Sequence, residues 1–388
     1  MKKMVLWSLL AILVFSLAAC GQSSSNAPQN QSPQAEAPQQ QPSEANSGNE
    51  TAAGDWDAIV EAAKKEGKVV LSGPPSEIWR NSLTTPFEEA YPGIKVEYTA
   101  LNSRDYWPRL FQEREIGQYL WDLRVGGPDP QVYKAKAEGM LAPVRPMLML
   151  PDVKDDSKWL GGLDGLFADK ENEYLPGFQA WGAPVVDINR DFIPESEFSK
   201  TEQLIDPQFK GKIVLQDPRG GAGLGFLAVL LDYYGEEFVH KLLTEQDVVV
   251  TSDNRQQAEW IVRGKYPIAI GLLPDYMAEF TKQGLGLNVK KVSEGPIGLN
   301  IGFGGIQALS DAPNPNATIV YVNWLLSKEG QEIVGEGTML NSRRLDVPVF
   351  NKYVAVDTNN LENYIPHQEE EYVEVRAKAQ EMGTSLIK

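Results

Sequence analysis

KIVLQDPRGGAGLGFLAVLLDYY, residues 212–234, joins a short apolar run, a glycine-rich turn and a long apolar run. Residues 212–216 are typical of a buried strand, and residues 224–234 are typical of a buried helix. Between them, residues 217–223 contain the proline and glycines that end a strand and begin a helix. This order predicts one unit of a parallel α/β sheet.

Similar alternations of strand and helix precede and follow this stretch. Before it, the pattern predicts strands over residues 68–71, 94–101 and 121–125, and helices over 76–91 (with a break at Pro86), 104–116 and 130–139. After it, the pattern predicts strands over 247–251, 266–272 and 301–309, and helices over 255–263, 316–326 and 369–387. One core rarely exceeds about 250–300 residues, so the chain from residue 55 onward is expected to form two lobes. The predicted fold class is α/β, with two doubly wound lobes.

The N-terminal segment has the features of a secretory signal. Two lysines precede an apolar run over residues 5–19, which is shorter than the roughly 20 residues of a membrane-spanning helix. The run ends in LAAC, residues 17–20, which resembles the lipobox of bacterial lipoproteins, whose cysteine is acylated, as with palmitate. Cys20 is the single cysteine of the chain, so it has no disulfide partner. We predict a signal peptide over residues 1–19 and lipidation of Cys20; an ordinary signal peptide or a short membrane anchor is the alternative.

A polar segment follows the cysteine. Residues 21–54 are dominated by Gln, Ser, Asn, Pro, Ala and Gly, and alanine is their only aliphatic residue. Such a segment buries too little apolar area to offset chain entropy and is expected to be disordered. We predict that residues 20–54 tether the folded part to a membrane, with a Gram-positive surface favoured over a periplasm.

Composition limits the function. The chain has 53 Asp and Glu against 36 Lys and Arg, a formal net charge of −17, so a nucleic-acid partner is not expected. The sequence contains no H-E-x-x-H or G-x-S-x-G motif and two histidines, His240 and His367. We therefore expect a binding protein rather than an enzyme, with no cofactor and no metal site. A surface hydrolase that uses two carboxylates remains the enzymatic alternative.

Five segments resemble one family of transport proteins. They are WDAIVEAAKKEGKVVL (residues 56–71), IDPQFKGKIVLQDPRGGAGLG (205–225), QQAEWIVRGKYPIAIGL (256–272), NWLLSKEGQEIV (323–334) and NSRRLDVPV (341–349). Together they resemble type II periplasmic binding proteins, and within that class the group that binds ferric ion, thiamine, polyamines and phosphonates.

The resemblance implies an architecture and a role. Its fold has two α/β lobes joined by crossing strands, with the ligand in the cleft between them. We expect the first lobe to comprise residues 55–145 and 297–345, and the second to comprise 146–296 and 346–388. The implied protein is a monomeric extracellular lipoprotein that captures a small solute and delivers it to the permease of an ABC importer. A solute sensor for a receptor kinase would have the same fold and cleft.

Loops that follow strands are the candidate ligand-binding elements. Ligands of open α/β sheets bind beyond the carboxyl ends of the strands, and helix starts there favour anionic groups. Each segment also has a structural interpretation, as a plain turn or a surface basic pair. The candidate residues are Ser72, Gly73, Pro75, Ser76, Gly126, Gly127, Arg219, Gly220, Gly221, Ala222, Gly223, Asn254, Asp275, Tyr276, Asn341, Arg343 and Arg344.

The candidates favour an anionic solute. The planar guanidinium groups of Arg343 and Arg344 suit a phosphonate, a sulfonate or a phosphorylated small molecule. Ferric members of the group bind iron through two adjacent tyrosines near the stretch that contains Asp275 and Tyr276. In this sequence that stretch offers one tyrosine only, Tyr276. Iron therefore remains an alternative, as does a cationic thiamine or polyamine held by Asp217 or Asp275. Four tryptophans offer stacking surfaces, with core packing as the alternative for each: Trp79, Trp107, Trp181 and Trp260.

Overall fold

A computed structural model describes residues 50–219 and 221–387 of the chain. The predicted signal peptide, Cys20 and nearly all of the predicted tether lie outside these residues. The helices are α1 Glu50–Glu66, α2 Glu77–Leu83, α3 Thr85–Ala90, α4 Ser103–Glu115, α5 Pro130–Ala137, α6 Pro151–Lys154, α7 Gly221–Tyr234, α8 Glu236–Glu245, α9 Asn254–Val262, α10 Pro274–Thr281, α11 Pro315–Leu326, α12 Lys328–Thr338 and α13 Val373–Leu386. The strands are β1 Lys68–Gly73, β2 Lys95–Ala100, β3 Leu123–Val125, β4 Trp181–Pro184, β5 Val186–Asn189, β6 Ile213–Gln216, β7 Val249–Thr251, β8 Ile268–Ile270, β9 Val289–Lys291, β10 Ile297–Asn300, β11 Ile306–Ala308 and β12 Tyr364–Ile365.

The first lobe is built on a four-stranded sheet. Its strand order is β11-β3-β1-β2, in which β1 is parallel to β2 and β3 while β11 is antiparallel to β3. Helices α1 and α11 pack against each other beside this sheet. Buried apolar side chains such as Leu71, Phe87 and Trp324 form one core cluster between the sheet and its helices. Strands β1, β3 and β11 are largely buried, whereas the edge strand β2, KVEYTA, is more exposed and alternates apolar and polar residues.

The second lobe is built on a five-stranded sheet. Its order is β7-β6-β8-β5-β9, with β6 parallel to β7 and β8, and with β5 antiparallel to β8 and β9. The apolar helix α7 packs against α8 and α13. Side chains such as Leu215, Leu227 and Ile270 form a separate core cluster. Residues 212–234 thus contain an interior strand of this sheet, β6, and the helix α7 that follows it.

A small third sheet joins the two lobes. Strand β4 pairs antiparallel with β10, from Trp181 opposite Asn300 to Pro184 opposite Ile297, and β12 runs beside β10. The chain thus passes to the second lobe through β4 and returns through β10. It crosses again before β12 and ends in α13 on the second lobe. The predicted fold of two α/β lobes joined by crossing strands is confirmed.

Three local predictions differ from the structure. The predicted strand that becomes β11 runs antiparallel to β3 rather than parallel, because it enters its sheet after crossing back from the second lobe. The predicted helix over 76–91 is divided into α2 and α3, with Pro86 in the first turn of α3, where its missing N–H costs nothing. The predicted strand over 301–309 is shortened to β11, because a glycine-rich loop precedes it.

The lobe boundaries remain a prediction. The core cluster of the first lobe includes Leu148, Val153, Trp159 and Phe178, which lie beyond the expected limit at residue 145.

Among the described residues, no helix has both the length and the apolar character needed to cross a membrane.

Candidate functional site

The end of strand β1 is tightly packed. The Ser72 side chain is fully buried, and its Oγ accepts a hydrogen bond of 3.0 Å from Nη1 of Arg124. A Cβ on Gly73 would lie 2.5 Å from the hydroxyl oxygen of Tyr98, which donates to the Pro74 carbonyl. Ser72 and Gly73 therefore belong to the packed edge of the sheet.

The next two predicted residues of this loop are more accessible. Pro75 is exposed and Ser76 is half-buried, directly before the seven-residue helix α2. The Ser76 side chain makes no capping hydrogen bond to the helix.

Gly126 and Gly127 bring the end of β3 against the loop between β10 and β11. The Gly126 N–H donates to the Gly305 carbonyl at 2.9 Å. A Cβ on Gly127 would lie only 2.1 Å from the carbonyl oxygen of Gly302. Glycine is thus required where the first lobe meets a crossing segment.

We expect Gly127→Ala to destabilise the protein. The added methyl group would meet backbone rather than a movable side chain, so the crossing loop must shift, at a cost of about 1–3 kcal/mol. Urea unfolding of the variant and the wild type measures the loss. An unchanged unfolding midpoint would mean that this contact does not constrain the crossing segment.

The glycine-rich turn after β6 lies in the second lobe. Arg219 Nε and Nη2 donate to the Asp217 carboxylate at 2.8 and 2.6 Å, in an exposed pair. Gly221 begins α7, and a Cβ on Gly223 would lie 2.3 Å from the Asp217 carbonyl oxygen. Gly220 and the side chain of Ala222 lie outside the described parts.

A cavity of about 740 Å³ lies beside this turn. Its lining includes Asp217, Arg219, Thr251 and Ser252. Since Arg219 is already paired with Asp217, the cavity presents no unpaired charge from this pair.

Asn254 and Tyr276 have local partners. Asn254 begins α9, and its Oδ1 accepts a hydrogen bond from Nε2 of Gln216 at the end of β6. Tyr276 is partly buried and packs against the small apolar cluster that contains Ala258 and Ile261. The side chain of Asp275 lies outside what the structure describes.

Asn341 and Arg343 hold the segment that follows α12. The Asn341 side chain exchanges hydrogen bonds of 2.8 and 2.9 Å with the backbone of Asn351, which closes a loop. Arg343 donates to the Gly165 carbonyl and forms an ion pair of 3.2 Å with Glu369.

Arg344, a predicted ligand residue, makes contacts that hold local structure. Its guanidinium group donates to the Asp152 carboxylate at 2.9 and 3.0 Å and to the Asp346 carboxylate at 2.9 and 3.0 Å. It also donates to the Leu326 carbonyl at 3.1 Å and lies 5.3 Å from the Trp159 ring. All five N–H donors of the side chain are used, so none remains for a solute.

A different arginine, Arg124, lacks a carboxylate partner. Three arginines are buried in the described part of the chain: Arg124 is 3% exposed, Arg343 3% and Arg344 2%. Of these, only Arg124 has no carboxylate within 4.0 Å among the side chains that the structure describes. Burial lowers the pKa of Arg124, and the nearby groups Tyr106 and Asp129 offset that effect only in part. Arg124 lies on β3, directly before the predicted residues Gly126 and Gly127.

Polar groups without partners also lie on the crossing segments. Gln179 is 3% exposed, and neither its amide oxygen nor its amide nitrogen has a hydrogen-bond partner among the described residues. The indole N–H of Trp181 likewise lacks one. Gln179 Oε1 and Trp181 Nε1 lie 3.4 and 3.6 Å from the position that a Cβ on Gly302 would occupy. Two hydrogen-bonding side chains therefore converge where the lobes join.

An aromatic ring borders this position. Phe303 is exposed in the loop between β10 and β11, and its ring centroid lies 6.0 Å from that of Trp79. The ring of Phe303 thus offers apolar surface near the buried polar atoms of Gln179 and Trp181. Such a combination is typical of small-molecule sites.

The structure brings only part of the predicted site together. Ser72, Gly126 and Gly127 lie around Arg124 and the crossing loop. Arg219 and Asn254 lie at strand ends of the second lobe, and Asn341, Arg343 and Arg344 hold local structure. Within residues 50–219 and 221–387, no group of three or more His, Cys, Asp or Glu side chains is arranged to hold a metal ion.

The model of one protein family matches residues 72–332, which is most of the chain. The description of that family is bacterial extracellular solute-binding protein. The chain belongs to this family. Its members bind solutes, so the prediction of a binding protein rather than an enzyme is confirmed.

Solved structures share the fold of this solute-binding protein. An iron- and citrate-bound IdiA (FutA) of Trichodesmium has a TM-score of 0.64 and 18% identity, over 82% of this chain and 99% of its own. The Bordetella ferric binding protein has a TM-score of 0.61 and 17% identity, over 82% and 98% of the two chains. AfuA of Actinobacillus pleuropneumoniae, with fructose-6-phosphate bound, has a TM-score of 0.56 and 20% identity, over 83% and 98%.

Curated relatives are also distant from this solute-binding protein. An uncharacterized protein of Haemophilus influenzae is 24% identical over 281 residues, 71% of this chain and 78% of its own. The iron uptake protein A2 of Synechocystis is 22% identical over 236 residues, 57% of this chain and 63% of its own. The similarity therefore shows a bacterial extracellular solute-binding protein without specifying its solute.

Proposed function

We propose that the chain captures a small polar or anionic solute in the cleft between its lobes and delivers it to the permease of an ABC importer. The observation that carries this proposal is the buried amide of Gln179 beside the crossing strands, which has no hydrogen-bond partner in the part of the chain that the structure describes. A buried polar group without a hydrogen bond costs about 1–3 kcal/mol. A bound solute that supplies a donor and an acceptor removes that cost.

The position of this amide supports capture by lobe closure. Gln179 precedes β4, which is paired with β10 in the small sheet between the lobes. A solute that contacts both lobes favours the closed form by the difference between its affinities for the two forms. The closed form then docks on the permease, and each lobe contacts one half of the permease. We propose that the chain does this as a monomer.

We expect Gln179→Ala to weaken solute binding. Loss of one or two hydrogen bonds to a bound solute lowers affinity by about 1–3 kcal/mol, or roughly fivefold to 150-fold. The purified chain is screened by thermal unfolding against inorganic phosphate, citrate, ferric citrate, aminophosphonates, sugar phosphates, thiamine and polyamines. The affinity of each solute found is then measured by calorimetry for the wild type and the variant.

The control for this test is Gln283→Ala, because Gln283 is exposed and bonds only its local helix, through the Glu279 carbonyl. A solute that binds all three proteins equally would place its site away from the crossing strands. Uptake of that solute by cells with and without the chain tests delivery. Equal uptake in both would contradict the transport role.

Iron remains the alternative cargo. The names of the Trichodesmium, Bordetella and Synechocystis relatives refer to iron, whereas that of AfuA refers to fructose-6-phosphate. In this chain Tyr276 packs against an apolar cluster. Ferric citrate in the panel separates these cargos, because citrate alone tests the anion without the metal.

We further propose that Cys20 anchors the protein to the outer face of the cell membrane through acyl chains. The motif LAAC and the polar residues 21–54 support a lipid anchor with a flexible tether. Detergent partitioning of cell extracts tests this. The wild type is expected in the detergent phase and Cys20→Ala in the aqueous phase, whereas equal partitioning would exclude lipidation of Cys20.

A further inference from the structure

We propose that Arg124, together with the hydroxyl groups of Ser72, Ser103 and Tyr106, forms a subsite for an oxyanion, a carboxylate or phosphate group of the solute. This inference rests on the proposed function, since it places the charged end of the solute in the first lobe. None of the predicted arginines, Arg219, Arg343 and Arg344, takes this role, because each is paired with a carboxylate.

Arg124 keeps two hydrogen-bond donors unused. Its Nη1 donates to Ser72 Oγ at 3.0 Å and to the Leu101 carbonyl at 3.2 Å, and its Nη2 donates once, to Ser103 Oγ at 3.2 Å. Its Nε is buried and has no partner among the described residues. A guanidinium group has five N–H donors, so one on Nε and one on Nη2 remain. These two nitrogens form the side of the fork that binds carboxylate or phosphate with two parallel hydrogen bonds.

Gly126 leaves space beside these two nitrogens. A Cβ at position 126 would lie 3.0 Å from Nε and 3.1 Å from Nη2 of Arg124. Any other residue would therefore crowd the unused side of the guanidinium group. The glycine thus has a role in access to the arginine as well as in the backbone contact with Gly305.

Two serine hydroxyls and the ring of Tyr106 contact the same guanidinium. Its central carbon lies 4.5 Å from the Tyr106 ring centroid, and the Tyr106 hydroxyl is buried with no partner in the described ranges. The hydroxyls of Ser72 and Ser103 accept hydrogen bonds from Arg124, so their own protons can be donated onward. Donors of this kind around one fixed positive charge are suited to an oxyanion.

The carboxylate of Asp129 influences Arg124 but does not form an ion pair with it. Asp129 acts on Arg124 electrostatically, but the two form no ion pair within 4.0 Å. One oxygen of Asp129 caps helix α5, and the other accepts a hydrogen bond of 3.2 Å from the Trp107 indole. The buried positive charge of Arg124 therefore remains available to a ligand.

The subsite adjoins the crossing segments through their backbones. The Gly126 carbonyl accepts a hydrogen bond of 2.8 Å from Gln307, and the Gly126 N–H donates to Gly305. A Cβ on Gly304 would lie 2.4 Å from the side chain of Gln179. The oxyanion end of the solute is thus assigned to Arg124 and its polar remainder to Gln179.

The test is titration of the full chain with inorganic phosphate, sulfate, acetate and citrate at an ionic strength matched with sodium chloride. Thermal unfolding and calorimetry report binding. We expect at least one oxyanion to raise the unfolding midpoint of the wild type above that in chloride. Arg124→Gln should weaken that binding about tenfold or more, and Tyr106→Phe should weaken it less. Arg109→Gln, an arginine of α4 that pairs with Glu113, should leave it unchanged.

A second readout separates binding from a structural role. Without an oxyanion, Arg124→Gln should unfold at the same temperature as the wild type or higher, because the substitution removes a buried charge that has no ion pair. A lower midpoint together with unchanged oxyanion affinity would overturn the inference. If Arg124→Gln does not fold, Tyr106→Phe decides, since its hydroxyl has no partner to lose.

The remaining outcomes distinguish this inference from the proposed function. No stabilisation of the wild type by any oxyanion would overturn the subsite. The subsite is also overturned if a neutral or cationic solute binds through Gln179 and its affinity is unchanged in Arg124→Gln. In that case the proposed function still stands.

Discussion

Replacement of Arg344 with glutamine is expected to lower the free energy of unfolding by about 3 kcal/mol, the lower end of the effect of breaking a buried ion pair, because Arg344 is buried while Asp152 and Asp346 are partly exposed. The side chain joins three distant parts of the first lobe: α6 through Asp152, α11 through the Leu326 carbonyl, and its own loop through Asp346. Glutamine is too short to reach all of them and carries no charge. The carboxylates of Asp152 and Asp346 would then lose the cation between them, although Asp346 would keep Lys158 at 3.8 Å.

Urea unfolding measures this loss, and Arg219→Gln is the matched control. Arg219 has a similar two-bond contact with Asp217, but the pair is exposed, so its loss should change stability by less than about 1 kcal/mol. Comparable losses in the two variants would contradict the structural role of Arg344. Unchanged stability of Arg344→Gln combined with lost solute binding would restore Arg344 as a ligand residue.

The second large effect expected is a loss of stability on acidification, caused by His367. Burial and, to a smaller extent, the nearby charge of Arg376 lower the pKa of His367 from 6.5 to about 4. The unfolded chain therefore binds a proton at a higher pH than the folded chain does. The stabilising contribution of His367 is complete above pH 6.5 and is lost as the pH falls towards 4. A shift of this size corresponds to about 3 kcal/mol.

The contribution of His367 is isolated by comparing variants. Asp187, whose pKa burial raises to about 7, acts in the opposite direction, because its protonated form favours the folded state. We therefore expect the difference in stability between the wild type and His367→Gln, rather than stability itself, to change by about 3 kcal/mol between pH 6.5 and 4. His240→Gln, in which the exposed histidine is replaced, should show no such difference. Parallel stability curves for the wild type and His367→Gln would contradict the burial of a neutral His367.

Much of the fold is encoded in local pattern. The apolar runs of β1, β6 and β8 and the periodic helices between them are visible in sequence, because strands covered on both faces need continuous apolar residues. Strands β5 and β9, which have three or four residues each, were not predicted, and the antiparallel direction of β11 was not distinguished from a parallel one. Strand direction depends on which lobe the chain has just left, and no local pattern records that.

The site is less visible in sequence than the fold. Arg343 and Arg344 stand out as a basic pair, but the partner of Arg344 at Asp152 lies 192 positions away. Arg124 stands alone in a short apolar strand, and that isolation is the signal that could have identified it, since a charge in a buried strand needs a partner or a ligand. Gln179 precedes a strand that has only four residues, so its burial depends entirely on the crossing topology.

The most direct test of the account is the affinity of one identified solute for the wild type and for Gln179→Ala. At about 100 times its Kd, a true solute should add about 2.7 kcal/mol to the stability of the wild type. Gln179→Ala is expected to need at least fivefold more solute for the same increase in the free energy of unfolding. Equal gains at equal concentrations would show that the solute does not bind beside the crossing strands, and would contradict capture in the cleft.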